Sequence, residues 1–403
     1  MNSAFYALER AAFEAAGLCF TDATASADYL MRIVFVSWRD LANTQAGGSE
    51  VLIDRLAVGL TARGHQVALL CGGPVGKRPY EVVDIGGTYS QYLRAPVDYW
   101  RRFRQWDLLV DVENGLPYFS PLWRLAPKML LVHHIHTDQW AQRFPGPLAA
   151  CFRFAEAKLM PLVYRGTPFI AISPSTAASI AALGVPRHQI RLLSELGVDM
   201  PALERAESEE PLFVCLGRLV PHKRVDLLLR VWKDVRRVTG GRLVVIGDGP
   251  ERQALELQAG PGVDFLGRVT DDEKWQLLGK AWFLLHSAQH EGWGMVIIEA
   301  AAAGTPSIGF DVAGVRDAIS DGTTGILVHS EQELATRWIE LVEQTEIRAQ
   351  MGRMARRKAA ETTWDRSIDH FERLLAGELS ASRAGRTSRK TWQSRISGRL
   401  GHR

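Results

Sequence analysis

From Met31 onward, short runs of consecutive apolar residues alternate with longer segments in which apolar positions recur at helical spacing. Ile33–Ser37, Val67–Cys71, Leu108–Val110, Met129–His133 and Phe169–Ile172 are too short for helices, apolar on both faces, and bounded by Gly, Pro or polar residues. They predict buried parallel strands, because a strand covered on both faces has no polar side to alternate with. Between the first two, Glu50–Arg63 places Val51, Leu52, Leu56, Val58 and Leu60 on a helical pattern that stops at Gly64. Strand, glycine loop, helix and strand together predict an α/β domain over residues 31–199.

The pattern lapses over residues 200–210, where Pro201 and four glutamates leave little to bury, which predicts a linker. A second alternation follows over residues 211–362. Its predicted strands are Leu212–Leu216, Leu243–Ile246, Asp264–Leu266, Trp282–His286, Thr305–Ile308 and Gly325–Val328. Helical patterns near 331–342 and 346–360 close this domain. Another over 363–378 predicts a C-terminal helix that can return to the first domain, ahead of a tail over 379–403. Two similar sheets joined by an exposed hinge imply a cleft, and α/β sheets bind ligands at their strands' carboxyl ends. Residues 1–30 stand apart: a helical pattern near 5–16 precedes the Ser/Thr/Ala/Asp-rich run 21–28. Both a native extension and a true start at Met31 fit that pattern.

Composition narrows the class. With 403 residues, 46% hydrophobic and 23% charged, the chain is neither a disordered tail protein nor a disulfide-stapled miniprotein. Cys19, Cys71, Cys151 and Cys215 are far apart, so neither a disulfide framework nor a cysteine zinc site is expected. No run approaches the roughly 20 apolar residues of a membrane-spanning helix, and no signal-peptide pattern opens the chain, so a cytoplasmic protein is expected. The net charge of +3 conceals a tail carrying +7 through Arg383, Arg386, Arg389, Lys390, Arg395, Arg399 and Arg403, on a body of −4. Such a tail is either a solvated end or a peripheral contact for anionic lipid on the inner face of a membrane; nucleic acid is not expected.

The chemistry concentrates in HEGWGMVIIEAAAAGTP, His290 to Pro306. Gly292 and Gly294 permit close approach of a ligand to the backbone, and a helix starting near Gly294 offers the amides of Gly294, Met295 and Val296 to a phosphate. Glu291 precedes that helix, and Glu299 on it leans back toward its start. Two carboxylates beside one anion site suit a ligand that also presents hydroxyls, as a nucleotide sugar does. A second segment, GRLVPHKRVD, puts Arg218 and Lys223 just after a strand, where two cations suit a diphosphate leaving group. Gly47 and Gly48 in NTQAGGSE lie between the first strand and its helix, a further phosphate-facing loop.

The segment from His290, continued by SIGFDVAGVRDAISDGTTGILV, resembles the E-x7-E signature of the retaining glycosyltransferases of family four, over most of the chain from Met31 to about Leu375. The resemblance implies the GT-B fold, two Rossmann-like α/β domains with parallel sheets facing a central cleft. It implies a hexosyltransferase that retains anomeric configuration, uses a nucleoside-diphosphate sugar of the UDP or GDP type, and needs no metal or other cofactor. The acceptor would be a carbohydrate, a small molecule or a lipid-linked species. The resemblance assigns Arg218 and Lys223 to the diphosphate, Glu291 and Glu299 to donor hydroxyls, Arg268 and Val269 of FLGRV to the nucleobase pocket, and Gly47 and Gly48 to the diphosphate. His136 of HHIHTDQW would contact the transferred hexose, with His134 as the alternative.

Other chemistries fit less well. His133, His134 and His136 invite a zinc reading, but on an extended segment only His134 and His136 share a face. No Asp-x-Asp occurs; the nearest run is Asp111-Val112-Glu113. Neither GGSE nor GGPVGKR meets a dinucleotide, Walker or nucleophile-elbow pattern. A sugar-nucleotide epimerase, a phosphorylase and a non-catalytic sugar-nucleotide binder remain as alternatives. The aromatic residues Tyr89, Tyr92, Tyr99, Trp100 and Trp140 suit either stacking on a ligand or burial.

Overall fold

The computed structural model describes residues 30–400 except 126, 138, 194–195 and 203–204, and omits the side chains of 142–143 and 385–400. The expected N-terminal helix near 5–16 lies outside the described residues. The chain divides into two compact units: Met1–Ile172, Ala177–Ser194 and Ser367–Arg403 belong to one, and Ser173–Thr176 and Glu195–Arg366 to the other.

The first unit contains a parallel sheet of β1 (Arg32–Arg39), β2 (Gln66–Gly72), β3 (Glu81–Asp84), β4 (Leu108–Glu113), β5 (Lys128–Val132), β6 (Phe169–Ala171) and β7 (Ile190–Leu192). Their order is β3-β2-β1-β4-β5-β6-β7, with every pair parallel. The central strands match the apolar runs because both of their faces are covered. All six residues of β4 are buried, its two carboxylates included. The short edge strands β3 and β7 carry too few apolar residues to stand out. The helix α1 (Gly48–Ala62) follows β1, and α2 (Gln91–Arg102) lies between β3 and β4. No helix is predicted at α2 because Pro96 sits within it and removes a backbone donor. A shorter helix, α3 (Gly146–Phe154), runs into a π-helical stretch, Ala155–Leu159.

The second unit holds β8 (Leu212–Leu216), β9 (Arg242–Ile246), β10 (Val263–Gly267), β11 (Phe283–His286), β12 (Ser307–Phe310) and β13 (Gly325–Val328) in the order β10-β9-β8-β11-β12-β13. Its helices include α4 (Val225–Thr239), α5 (Asp271–Lys280), α6 (Met295–Ala302), α7 (Glu331–Glu343) and α8 (Thr345–Glu361). The core is aromatic. Trp232 of α4 stacks on Trp338 of α7 at 5.5 Å, and Phe213 of β8 meets the Trp338 ring at 5.1 Å. With β8 and β11 adjacent at the centre, their carboxyl ends set two loops side by side.

The last helix, α9 (Trp364–Leu400), runs far beyond the predicted 363–378, because no proline interrupts the sequence after it. From Ser367 it belongs to the first unit, where Phe371 stacks on Phe35 at 6.0 Å. Glu372 accepts from Arg63 Nη1 at 2.6 Å and pairs with His65 Nε2 at 2.9 Å. Among the described residues, no helix is long and apolar enough to cross a membrane.

Candidate functional site

In the second unit the chain leaves β8 at Leu216, passes Gly217 and the exposed Arg218, and makes a tight turn at Pro221–Lys223 before α4. Arg224 closes that turn with a left-handed φ of 49°, which a non-glycine residue adopts only when its surroundings hold it. Its guanidinium donates to Ser287 O at 2.7 Å and lies 4.4 Å from the Phe310 ring. Ser287 Oγ donates to Lys223 O at 2.7 Å, and Gln289 N donates to His222 O at 2.8 Å. The loop after β8 is therefore laced to the loop after β11. Cys215, Gly217, Arg218, Lys223, His286 and Ser287 line one hollow there.

Lys223 Nζ donates to Glu291 Oε2, and His286 Nε2 stands 3.2 Å from the same oxygen. Burial works against charge on Glu291, but Lys223 and His286 outweigh it and hold the carboxyl well below its usual range. Burial and the nearby Lys223 and Arg218 cations lower His222 to about 4, leaving it neutral near pH 7. The hollow thus presents Arg218 as an exposed cation and Lys223 as a cation held by a carboxylate. Gly314 keeps this arrangement tight: with φ 80°, a Cβ there would stand 2.4 Å from Glu291 O.

Glu299 has a different partner. On α6 it accepts from Lys274 Nζ of α5 at 2.7 Å, while Asp271 lies 2.9 Å from that nitrogen. Burial raises the Glu299 pKa despite Lys274. The two glutamates of the E-x7-E segment thus sit in separate ion pairs, and Lys274 is a partner no sequence motif identifies. The helix α6 begins after Gly294, whose φ of 81° turns the chain into it. The first intrahelical bonds are those of Ile297 N and Ile298 N to Gly294 O, so the Met295 and Val296 amides precede them in the first turn. Exposed Arg268 and half-buried Val269 lie between Gly267, which ends β10, and Thr270, which caps α5.

In the first unit, Gly47 N donates to Glu50 Oε2 at 2.7 Å, and Gly48 opens α1. Ser49 Oγ donates to the same carboxylate oxygen at 2.9 Å and accepts from Asn114 Nδ2 at 2.7 Å. The Gly-Gly loop is therefore anchored from behind.

His136 sits in a carboxylate clamp. Its Nδ1 is 3.4 Å from Glu113 Oε1 at the end of β4 and 3.6 Å from Glu156 Oε1 in the π-helical stretch, beyond a well-formed hydrogen bond but close enough for charge attraction. Glu156 also accepts from His136 N at 2.5 Å, Trp140 Nε1 at 2.8 Å and Thr137 Oγ1 at 3.0 Å. Burial opposes charge on His136, yet the two carboxylates raise it to about 9; burial pushes Glu113 up to about 7. Glu113, His136 and Glu156 place one donor atom each within 4.8 Å of one another, a set three side chains could offer a cation. Protons on His136 and Glu113 balance the same charge. Sequence reasoning missed Glu156, which lies 20 residues from His136 with no motif of its own, and passed over Glu113 within Asp111-Val112-Glu113. Asp111 is a structural acceptor for Tyr118 N at 3.0 Å and Ser120 N at 3.1 Å. Tyr99 and Trp140 are buried, whereas Tyr89 and Trp100 are exposed.

Neighbouring His133 is buried, and burial with the cationic His136 lowers it to about 3. Its folded pKa lies below its unfolded value, so it binds a proton more readily unfolded, and stability falls as pH drops from about 6.5 toward 3. That costs about 2 kcal/mol at pH 5. Urea unfolding of wild type and His133→Asn side by side at pH 7 and pH 5 isolates this contribution from the other titrating groups: the variant should lose about 2 kcal/mol less than wild type between the two pH values.

Two family models match the chain: one described as Glycosyltransferase Family 4 over residues 46–199, the other as Glycosyl transferases group 1 over residues 201–358. Sulfoquinovosyl transferase from Arabidopsis thaliana is 25% identical over 60% of this chain and 50% of its own length. A GDP-mannose-dependent alpha-mannosyltransferase from Mycobacterium tuberculosis is 29% identical over 66% of this chain and 69% of its own. The chain spans about half the length of the first two curated relatives it matches. Among solved structures, sucrose-phosphate synthase from Thermosynechococcus elongatus superposes with a TM-score of 0.72 at 18% identity, over 87% of this chain and 100% of that one. The two parallel α/β sheets and this match give the chain the GT-B fold.

Proposed function

Because the chain belongs to glycosyltransferase family 4, we propose that it moves a hexose from a nucleoside diphosphate of the UDP or GDP type to an acceptor, with retention of anomeric configuration. The observation that carries this reading is the Lys223–Glu291 pair beside exposed Arg218, at the carboxyl ends of two adjacent central strands. The diphosphate takes up Arg218 and Lys223. Hexose hydroxyls donate to Glu291, replacing the lysine as its partner. As the bond from the anomeric carbon to the phosphate oxygen stretches, its electron pair passes to the diphosphate, where fixed cations need no reorganisation to stabilise it. The sugar develops the matching positive charge.

Met295 and Val296 amides, with the turn at Gly294, receive phosphate oxygens at the start of α6, and Glu299 takes ribose hydroxyls. Arg268 and Val269 line the base. The family resemblance adds roles for the first unit: Gly47 and Gly48 for the diphosphate, His136 for the hexose, and the unit as a whole for most of the acceptor. The transfer proceeds without a metal ion, the cations of the chain serving instead.

The test is a thermal-shift screen of UDP, GDP and their hexose conjugates, since a ligand at 100 times its Kd adds about 2.7 kcal/mol to native stability. Stabilisation by one nucleotide family, followed by NMR detection of a product with the donor's anomeric configuration, supports the reading. Binding with no transfer to any acceptor and no donor hydrolysis favours a silent binder, and release of an epimerised sugar nucleotide favours an epimerase. Activity abolished by EDTA and restored by a divalent cation overturns the metal-free part.

A further inference from the structure

The helix α2 has two apolar faces where a surface helix needs one. Ala95 and Tyr99, with Phe103 just beyond the helix, are buried in the core of the first unit. On the opposite side Leu93, Val97 and Trp100 recur at i, i+4 and i+7 and form one stripe, exposed by 80%, 47% and 52%. Tyr89 is exposed just before the helix. Trp100 Nε1 donates to Trp123 O at 2.9 Å, so its ring can leave water without stranding a donor. Leu122 beside Trp123 is 72% exposed, and Leu125 two residues on is 99% exposed. Single exposed apolar residues need no explanation, but a stripe on one helix with leucines at its flank marks a contact surface.

Charge selects the partner. Arg94, Arg101, Arg102 and Arg104 are exposed on or beside α2. Among the described residues, the acids opposing them are Asp98, 3.8 Å from Arg94, and Glu81, bonded to Arg102. Two positive charges are therefore in excess here, on a body whose residues before 379 sum to −4. A second copy docked by two-fold symmetry would bring the arginines of both helices together, which like-charge repulsion disfavours. An anionic bilayer offers both an apolar boundary and negative head groups.

We propose that the outward face of α2 docks on an anionic lipid surface, with Leu93, Val97 and Trp100 in the acyl boundary and Arg101 and Arg104 at the head groups. The helix lies along the membrane and does not cross it. This contact is separate from the basic tail and does not depend on the proposed reaction.

The full chain is tested by flotation with vesicles of phosphatidylcholine, alone or mixed with phosphatidylglycerol. Wild type is expected to bind the mixed vesicles. Leu93→Asp with Val97→Asp, and separately Arg101→Glu with Arg104→Glu, should each lower partitioning about tenfold or more, with unchanged melting temperature and oligomeric state. Leu93→Asp alone, at a side chain already largely in water, guards against misfolding and should lower partitioning in the same direction. Neutralising Arg386, Arg389 and Lys390 to glutamine should leave the dependence on Leu93 and Val97 intact. Failure of wild type to bind the anionic vesicles, wild-type binding by the α2 variants, or a change of oligomeric state in place of lost binding would overturn the proposal.

Discussion

Lys223→Ala should lower turnover of the preferred donor by about 10²–10³-fold, the usual effect of removing one preorganised donor from developing negative charge. The same change takes away the principal charge partner of Glu291, leaving that mostly buried carboxylate with His286 at 3.2 Å. It should also cost about 1–3 kcal/mol of stability, the desolvation penalty of a group left short of a partner. Kinetics and denaturant melts on one preparation separate the two effects. Arg218→Ala supplies the control: its side chain is exposed, so turnover should fall with stability nearly unchanged. Lys223→Ala enzyme that turns over donor at the wild-type rate would remove the electrostatic mechanism, whatever its stability.

Glu156→Ala should destabilise the first unit by about 3–5 kcal/mol, the range for removing one partner of a buried charge pair. Glu156 is fully buried and accepts from His136 N, Thr137 Oγ1 and Trp140 Nε1, while facing His136 Nδ1. Alanine strands all three donors and leaves His136 with Glu113 alone. Glu156→Gln keeps an acceptor oxygen but adds two hydrogens and loses the charge, so its cost should fall between wild type and alanine. Urea unfolding followed by tryptophan fluorescence reads both, and a loss below about 1 kcal/mol for alanine would mean that water replaces the carboxylate cheaply.

Legibility in the sequence follows burial. The central strands β1, β2, β4 and β5 of the first unit and β8, β9 and β11 of the second are covered on both faces, so their residues form continuous apolar runs that local reading detects. The edge strand Glu81–Asp84 and the proline-bearing helix Gln91–Arg102 escape it, one for its end charges and the other for Pro96. Of the candidate site, the glycines, cations and carboxylates that carry the family resemblance stand at strand ends in recognisable order, whereas Lys274 and Glu156 belong to no motif and appear only as partners.

Local spacing in the sequence by itself determined the alternation of strand and helix and the family resemblance carried by Arg218, Lys223, Glu291 and Glu299. Only the tertiary structure decided which charge meets which. Lys223 reaches Glu291 across 68 residues, Lys274 takes Glu299 across 25, and Glu156 with Glu113 encloses His136. The outward stripe of α2 likewise became visible only once its other face was seen to be buried. Periodicity reports what a residue does relative to its own element. Partnership is set by strand order in a parallel sheet, which places β8 beside β11 although two other strands separate them in the chain.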